Sequence, residues 1–410
     1  MPLDFRKVLH QIKNLESSEQ KNSLEARLNS TYQQFLNANK DLDIFLKKLA
    51  ETNSTSKANF TFATPVLEKG ESLNTLISPE NDFTKPHITL GSDGSQIFSF
   101  SHEVSGASLI NIGMIAIPYY EKNIPVYMSS EPTVYNSTED INPTISEERI
   151  SDEDLISYER TLKEVEGLVT LAKHYSKYKL PMVALLDGTL IHWHIERFNN
   201  AFIEQFIKRY SNAIMELKNL GLPVASLISN SRSNDIINML KIGKCPYDKV
   251  DCKKHCASLS SKDLPCNPMS DYKTVFDRRI IERLFTEEKC LNGTRSVLFK
   301  SNSNILNFYP EEIKVFFFYI NTGTEAARVE LPYYVASDKK LLDLLHNAIS
   351  IQSKVGFGYP VVLSEAHNQA VVNKGDRQIF YDLIKDHTLT HKSGQIKLST
   401  KELRKRISFV

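Results

Sequence analysis

The stretch Pro181-Met182-Val183-Ala184-Leu185-Leu186-Asp187-Gly188-Thr189 decides the fold. Its unbroken apolar run after a proline predicts a strand buried on both faces, as in the centre of an α/β sheet. Asp187 then falls at the carboxyl end of this strand, which is where α/β sheets bind their ligands. A buried carboxylate at such a place needs a cation or strong hydrogen-bond donors. The stretch therefore predicts an α/β fold with a charged site at a strand end.

The flanking sequence predicts helices and strands that alternate around this strand. Apolar residues at helical spacing predict a long helix from about 152 to 178 and a second from about 199 to 220, with a short strand at 224–228. Upstream, we expect two strands separated by a turn at Gly91-Ser92-Asp93-Gly94. The polar segment 121–150 is expected to be a surface loop. This alternation predicts a sheet flanked by helices.

Residues 1–52 are expected to form a separate N-terminal helical hairpin. Leucine and phenylalanine recur there at three- and four-residue steps among charged positions. The hairpin would pack on its own domain, pair with a second copy, or dock a partner protein. A polar run at 51–57 predicts a linker, the main domain is expected at 60–380, and a basic tail is expected at 381–410.

The composition excludes several classes of protein. The 410 residues carry 50 Lys and Arg against 49 Asp and Glu, a net charge of +1. This balance excludes a uniformly basic nucleic-acid coating protein but permits a local basic channel. The sequence has no run of roughly 20 apolar residues that would cross a membrane, and its start lacks the apolar core of a signal peptide. We therefore expect a cytoplasmic protein without membrane contact.

Three carboxylates are candidates for a metal site. Asp93 lies in the predicted turn and Asp187 at the end of the buried strand. On the long helix, Glu166 lies on the flank of the apolar face, whereas Glu164 is expected to point further toward solvent. The spacing to Asp187 does not decide between these two glutamates. Carboxylates are hard oxygen ligands, so such a site favours Mn²⁺ or Mg²⁺ over zinc.

A second candidate group lies near the C-terminus. Gly356-Phe357-Gly358-Tyr359-Pro360 leads into a predicted helix that carries Glu365-Ala366-His367. Tyr359 and His367 are separated by a distance that lets both face one cleft. A histidine there acts as a general acid, binds a phosphate or metal, or is simply a structural residue.

The order of these elements resembles the NurA nuclease family from about Pro86 to Ala370. The resemblance rests on the Asp-Gly-Ser turn, the helix glutamate, the strand ending Leu-Leu-Asp-Gly-Thr-Leu, a Ser-Arg-Ser element at 231–233, and Gly-Tyr-Pro with Glu-Ala-His. It implies an RNase H-like mixed sheet, related to the core of Argonaute PIWI domains, and a homodimer. It also implies manganese-dependent 5′-to-3′ exonuclease and single-strand endonuclease activity in DNA end processing. The implied partners are single-stranded DNA, duplex DNA ends and a HerA-type hexameric ATPase.

The resemblance also implies roles for individual residues. Asp93, Glu166 and Asp187 would bind the metal, and Tyr359 and His367 would complete the active site. Arg232 is the candidate contact to the DNA backbone, because Asn230 carries no charge where the family often has lysine. The alternatives are a catalytically inactive NurA-like subunit that binds DNA ends or serves as an adaptor, and a plain oligomerisation protein.

Four of the five cysteines lie in one short segment, at 245–266. Cys245, Cys252, Cys256 and Cys266 give the pattern C-x6-C-x3-C-x9-C. Zinc sites usually have tighter pairs, so only the central pair fits well, with His255 as a spare ligand. An iron–sulfur cluster accepts four thiolates at looser spacing. We expect a zinc or iron–sulfur site that holds a Cys-rich insertion together, with unlinked thiols or disulfides as the alternatives.

Overall fold

The computed structural model describes residues 4–13, 18–55, 58–81, 83–98, 107–136, 150–260, 263–266 and 275–391. These residues divide into two compact units. The first unit takes its described residues from Met1–Pro79, Ile228–Asn307 and Lys314–Leu331, and the second from Glu80–Leu227, Phe308–Ile313 and Pro332–Val410.

The described chain contains both helices and strands, and the two alternate over residues 152–244, which confirms the predicted α/β class. The helices are α1 (Phe5–Lys13), α2 (Ser18–Asn37), α3 (Leu42–Thr55), α4 (Asp152–Tyr175), α5 (Asn200–Asn219), α6 (Asp235–Lys244), α7 (Cys252–Cys256), α8 (Asp277–Glu287), α9 (Tyr333–Ala336), α10 (Lys339–Val355), α11 (Val361–Ala370) and α12 (Lys374–His391). The strands are β1 (Ala63–Val66), β2 (Leu76–Ile77), β3 (His87–Ile97), β4 (Ser108–Tyr119), β5 (Tyr127–Tyr135), β6 (Met182–Asp187), β7 (Val224–Ile228), β8 (Arg295–Ser296), β9 (Leu298–Ser301), β10 (Val315–Asn321) and β11 (Ala326–Pro332).

The second unit contains a mixed sheet with the strand order β5-β4-β3-β6-β7. The pairs β3–β4 and β4–β5 are antiparallel, whereas β3–β6 and β6–β7 are parallel. Strand β6 contains the apolar stretch on which the fold prediction rests, and its residues Met182 to Leu186 are all buried. Helices α4 and α11 both pack on β3 and β4, so the predicted mixed sheet flanked by helices is confirmed.

The first unit contains a mainly antiparallel arrangement. Strand β9 pairs with β1 and β10, while β8 pairs with β2 and β10, all antiparallel. Helices α2, α3, α6 and α8 pack around this part of the sheet. The first turn of α6 is capped by a residue that is distant in the sequence. The buried Asp277 carboxylate accepts hydrogen bonds from the backbone N–H groups of Ile236 (2.9 Å) and Ile237 (3.0 Å).

The glycine-rich segment at 91–94 is part of a continuous strand and not the predicted turn. Strand β3 runs through it and pairs with β4 along its whole length. The glycines are needed for close helix approach: a Cβ at Gly91 would lie 2.8 Å from the Val362 carbonyl oxygen of α11. A Cβ at Gly94 would lie 2.6 Å from side-chain atoms of Arg160 and Glu164 on α4. Both faces of β3 therefore depend on glycine.

Two further expectations differ from the structure. The segment 121–150, expected to be a loop, contains strand β5 at the end of the sheet order. Its side chains are mostly exposed and it includes Pro132, so it lacks the apolar alternation that predicts a strand. Helix α3 continues to Thr55, into the predicted linker at 51–57, and buries Thr52.

The predicted boundaries at 52, 60 and 380 remain predictions. Helix α12 occupies the start of the predicted basic tail, and residues 392–410 of that tail lie outside the described residues. Among the described helices, none combines the length and the apolar character that crossing a bilayer requires.

Candidate active site

Asp93 and Asp187 lie on the neighbouring parallel strands β3 and β6, at the point where the pairing of these two strands ends. The pairing of β3 with β6 ends where Ser92 lies opposite Leu186. The next residue on each strand is one of the two aspartates, so the strand register alone brings the predicted pair together. The Asp187 carboxylate accepts a hydrogen bond from the Gly188 backbone N–H at 2.8 Å.

His367 is held against Asp93 by the docking of α11. The distance between His367 Nδ1 and Asp93 Oδ2 is 2.7 Å. The end of α11 is fixed because the Ala370 carbonyl accepts hydrogen bonds from Ser95 Oγ (2.5 Å) and Asn111 Nδ2 (2.8 Å). The His367 side chain is 66% exposed, so its imidazole is open to a substrate.

Tyr359 hydrogen-bonds to Asp187 from the loop that precedes α11. This loop places Phe357 and Gly358 in left-handed conformations, with φ of 54° and 106°. The Gly358 N–H donates to the Ser353 carbonyl at 2.8 Å, which ties the loop to the end of α10. The structure thus brings four of the predicted residues together: Asp93, Asp187, Tyr359 and His367.

Glu164 supplies the third carboxylate of this group. Its side chain is 14% exposed and lies 3.2 Å from Arg160 Nε. The Gly94 N–H, beyond the last β3–β6 pair, donates a hydrogen bond to it. Burial raises the pKa of Glu164 to about 8, against the opposing effect of Arg160, and the charges of Asp93 and Asp187 raise it further. The expectation that Glu164 points toward solvent is therefore wrong.

Glu166 is not brought to the two aspartates. Its Oε1 lies 2.6 Å from Arg209 Nε on α5, and the same guanidinium contacts the buried Glu159 at 2.6 Å through Nη1. Residues two apart on a helix point roughly 200° away from each other, so Glu164 faces the sheet when Glu166 faces α5. A helix with a single apolar face would expose Glu164 to solvent. Helix α4 is instead covered on two sides, by the sheet and by α5. The sequence feature that could have pointed to Glu164 is Gly94, because its missing side chain leaves space for the Glu164 carboxylate.

The group formed by Asp93, Glu164, Asp187, Tyr359 and His367 concentrates negative charge, and we call it the carboxylate group. Asp187 is exposed at the end of β6, so the expectation of a buried carboxylate there is wrong. Partial desolvation by its surroundings nevertheless raises the pKa of Asp187 above its ordinary value, the Tyr359 hydrogen bond opposes this, and the neighbouring Asp93 charge adds to it. Among the residues that the structure describes, Arg160 forms an ion pair with Glu164, and His367 pairs with Asp93. Such a group attracts cations.

Arg232 belongs to the first unit, in the segment between β7 and α6, and its side chain is exposed. The start of this segment is held by Glu325, whose carboxylate accepts hydrogen bonds from Ser229 Oγ (2.5 Å) and the Asn230 N–H (2.6 Å). An exposed arginine is available to a phosphate, but its role in DNA binding stays a prediction. The four clustered cysteines are also in the first unit and are all free thiols.

Comparisons with known proteins place this arrangement in a family. The model of the NurA domain matches residues 87–372, a range that includes every member of the carboxylate group. A crystal structure of NurA bound to dAMP and manganese is similar over 89% of this chain and 97% of that chain, with 12% identity and a TM-score of 0.33. No curated protein matches the chain. Since the domain match covers well over half of the sequence, the chain belongs to the NurA family.

Proposed function

We propose that this protein is a divalent-metal-dependent DNA nuclease that hydrolyses phosphodiester bonds at the carboxylate group. The observation that carries the proposal is the convergence of Asp93, Glu164 and Asp187, two of them where the pairing of β3 with β6 ends and one largely buried on the facing helix α4. Membership of the NurA family supports the same chemistry. Glu164 takes the place that the sequence argument gave to Glu166.

The donor chemistry of the carboxylate group fits Mn²⁺ or Mg²⁺, which prefer hard oxygen ligands. In the part of the chain that the structure describes, no three His, Cys, Asp or Glu side chains are already grouped as metal ligands. Glu164 is instead paired with Arg160, and Asp93 with His367. Asp93, Glu164 and Asp187 would hold the cation once two of them exchange these partners for it. When bound, the cation neutralises charge on the phosphate and makes a water more acidic.

The remaining residues of the group position and move protons. Asp93 accepts the hydrogen bond at His367 Nδ1 and so orients the imidazole, leaving the other ring nitrogen to protonate the departing 3′-oxygen. Tyr359 hydrogen-bonds to Asp187 and fixes the direction of that carboxylate. Arg160 lies 3.2 Å from the Glu164 carboxyl and opposes the rise in its pKa that burial causes.

The finer parts of the proposal follow from the family. They are an RNase H-like core, 5′-to-3′ exonuclease and single-strand endonuclease activity on DNA ends, a homodimer, and a HerA-type ATPase partner. The antiparallel strands β5, β4 and β3, continued by the parallel strands β6 and β7, support the RNase H-like core. The alternative is a NurA-like subunit that binds DNA ends or serves as an adaptor without cleaving.

Cleavage of end-labelled DNA with and without divalent metal tests the proposal. We expect wild-type protein to cut short single-stranded and duplex DNA with Mn²⁺ or Mg²⁺, and to stop when EDTA removes the metal. An inactive subunit would bind the same DNA and cut none of it under either condition.

Metal affinity should depend on pH through Glu164. Because the pKa of Glu164 is about 8 in the folded protein, the metal-free carboxyl carries a proton below that pH. A cation must displace this proton, so Mn²⁺ affinity should fall by about tenfold for each pH unit below 8. Calorimetric titration with Mn²⁺ at pH 6, 7 and 8 measures this slope.

Ionisation of Glu164 should also make the stability of the metal-free protein depend on pH. This stability should fall as the pH rises, whereas Mn²⁺ affinity increases. A raised carboxyl pKa favours the folded state most at low pH, and this contribution is lost as the pH rises from its unfolded value toward 8. The melting temperature of metal-free protein should therefore fall relative to that of Glu164→Gln between pH 6 and 8.5, and Mn²⁺ should restore it. A difference between the two proteins that does not change with pH would contradict the assignment.

Phe357 should contribute to binding single-stranded DNA. It is 92% exposed and held in a left-handed conformation two residues before Tyr359, which gives the folded protein no packing benefit. Stacking of one base on an aromatic ring contributes roughly 1–3 kcal/mol, so Phe357→Ala should raise KM for a single strand roughly 5- to 150-fold. Phe357→Trp should keep the wild-type KM.

A substrate without bases separates this role from catalysis. Hydrolysis of bis(p-nitrophenyl) phosphate should be unchanged in Phe357→Ala. Equal loss on both substrates would show that the loop shape matters and the ring does not.

A further inference from the structure

The Cys-rich segment at 245–266 brings four half-buried thiols into one neighbourhood. Cys245 ends α6, and its N–H donates to the Lys241 carbonyl at 3.0 Å. Cys252 and Cys256 are the two ends of α7, one helical turn apart and therefore on the same face. Cys256 lies within electrostatic range of Cys245 and Cys252, and Cys266 within range of Cys252 and Cys256.

Apart from the stacked rings of Tyr247 and His255 and the Asp251 cap of α7, this segment has little packing of its own. Among its described residues only Val250 is buried. Helix α7 has five residues, far below the roughly 12–15 that an isolated helix needs in water. Ordering a chain of this length costs conformational entropy that one apolar side chain does not offset. A cross-link through the thiols would supply the missing stabilisation, as metals do in small domains.

Two of these cysteines, Cys245 and Cys252, attach the segment to the core of the first unit. Cys245 and Cys252 pack against the apolar cluster that includes Phe45 and Leu240. The Lys48 ammonium on α3 donates a hydrogen bond to the Cys245 carbonyl. A centre that includes these two thiols would therefore be anchored to a rigid part of the unit and would fix α7 against it.

A cation lies near the thiols. A centre with four thiolates is anionic, and anionic thiolates are stabilised by nearby cations. Burial raises the pKa of the Cys266 thiol, and Lys241 lowers it against this larger effect. The segment itself has nearly balanced charge, because Asp248, Asp251 and Asp263 accompany its lysines.

We propose that Cys245, Cys252, Cys256 and Cys266 ligate an iron–sulfur cluster that fixes this segment to the first unit. A single zinc ion requires all four sulfurs at about 2.3 Å from one point. A cluster spreads its four thiolates over several iron atoms and so accepts a wider arrangement. The wide spacing of the first and last cysteines in the sequence agrees with this choice.

Metal and sulfide analysis of the full chain, purified without oxygen, tests the proposal. We expect a brown protein with absorbance near 400 nm and about four iron and four sulfide per chain. Cys252→Ser and Cys266→Ser should lose the iron and the absorbance. Cys290→Ser is the matched control, because the fifth cysteine lies outside the group and should keep the wild-type iron content.

Thiol alkylation of wild-type protein shows which cysteines are bound to iron. It therefore tests the proposal even if a cysteine variant fails to fold. In the brown protein, Cys290 should react while the other four thiols are protected, and chelation of the iron should make all five reactive. Stoichiometric zinc without sulfide, a colourless metal-free protein, disulfides among the four cysteines, or iron retained by Cys252→Ser would each overturn the proposal.

Discussion

Asp187→Asn should abolish metal-dependent DNA cleavage while leaving the fold intact. Residues that merely orient a metal ligand affect activity roughly 10- to 100-fold, so loss of a ligand itself should lower kcat by about 100-fold or more. Asparagine keeps the shape of the side chain and can still hydrogen-bond to Tyr359, so packing at the end of β6 is preserved. Steady-state cleavage of a labelled single strand with saturating Mn²⁺ measures the effect.

Thermal melting of the same variant separates loss of chemistry from loss of structure. Without metal, Asp187→Asn should melt at or above the wild-type temperature, because it removes charge from a crowded group of carboxylates. Added Mn²⁺ should stabilise the wild-type protein by mass action and the variant much less. A strongly lowered melting temperature without metal would mean that Asp187 acts through the fold.

Glu164→Gln and Glu166→Gln should differ sharply although the residues are two apart on α4. Glu164 belongs to the carboxylate group, so its variant should lose cleavage by about 100-fold or more. Glu166 pairs with Arg209, which retains its second partner Glu159, so activity should stay within about threefold of wild type. Parallel kinetics of the two variants at saturating Mn²⁺ make the comparison.

Each variant serves as the control for the other, because both replace a helix glutamate by its amide. Loss of cleavage in Glu166→Gln with retention in Glu164→Gln would restore the assignment that the sequence first favoured. Equal loss in both would indicate that α4 as a whole, rather than one carboxylate, is required for the site.

The strand that carries Asp187 could be predicted because its signal is local. A continuous apolar run is sufficient to indicate a buried central strand, and the position of Asp187 at its end follows directly. The grouping of Tyr359 and His367 with the two aspartates could also be predicted, because the family resemblance implies that they share one active site. The local signal alone gives the position of Asp187, whereas the contacts of Tyr359 and His367 come from the resemblance.

The features that were missed depend on tertiary packing. The glycines of β3 resemble a turn in the sequence, and their purpose is visible only when α4 and α11 lie on the two faces of the strand. Glu164 and Glu166 are equivalent by spacing, and the cover that α5 gives to the second face of α4 decides between them. Strand β5 has exposed, polar residues because it lies at the sheet edge, so no apolar pattern marks it.

The most direct test of the carboxylate group as a metal-dependent nuclease site is a Mn²⁺ titration of DNA cleavage by wild-type protein and Asp93→Asn. We expect wild-type cleavage of a labelled single strand to rise to saturation with Mn²⁺, to vanish with EDTA and to return when Mn²⁺ is added back. Asp93→Asn, which also weakens the charge-assisted hydrogen bond that orients His367, should show no cleavage at any Mn²⁺ concentration. Metal-independent cleavage by wild-type protein, no cleavage under any condition, or equal cleavage by the two proteins would contradict the proposed site.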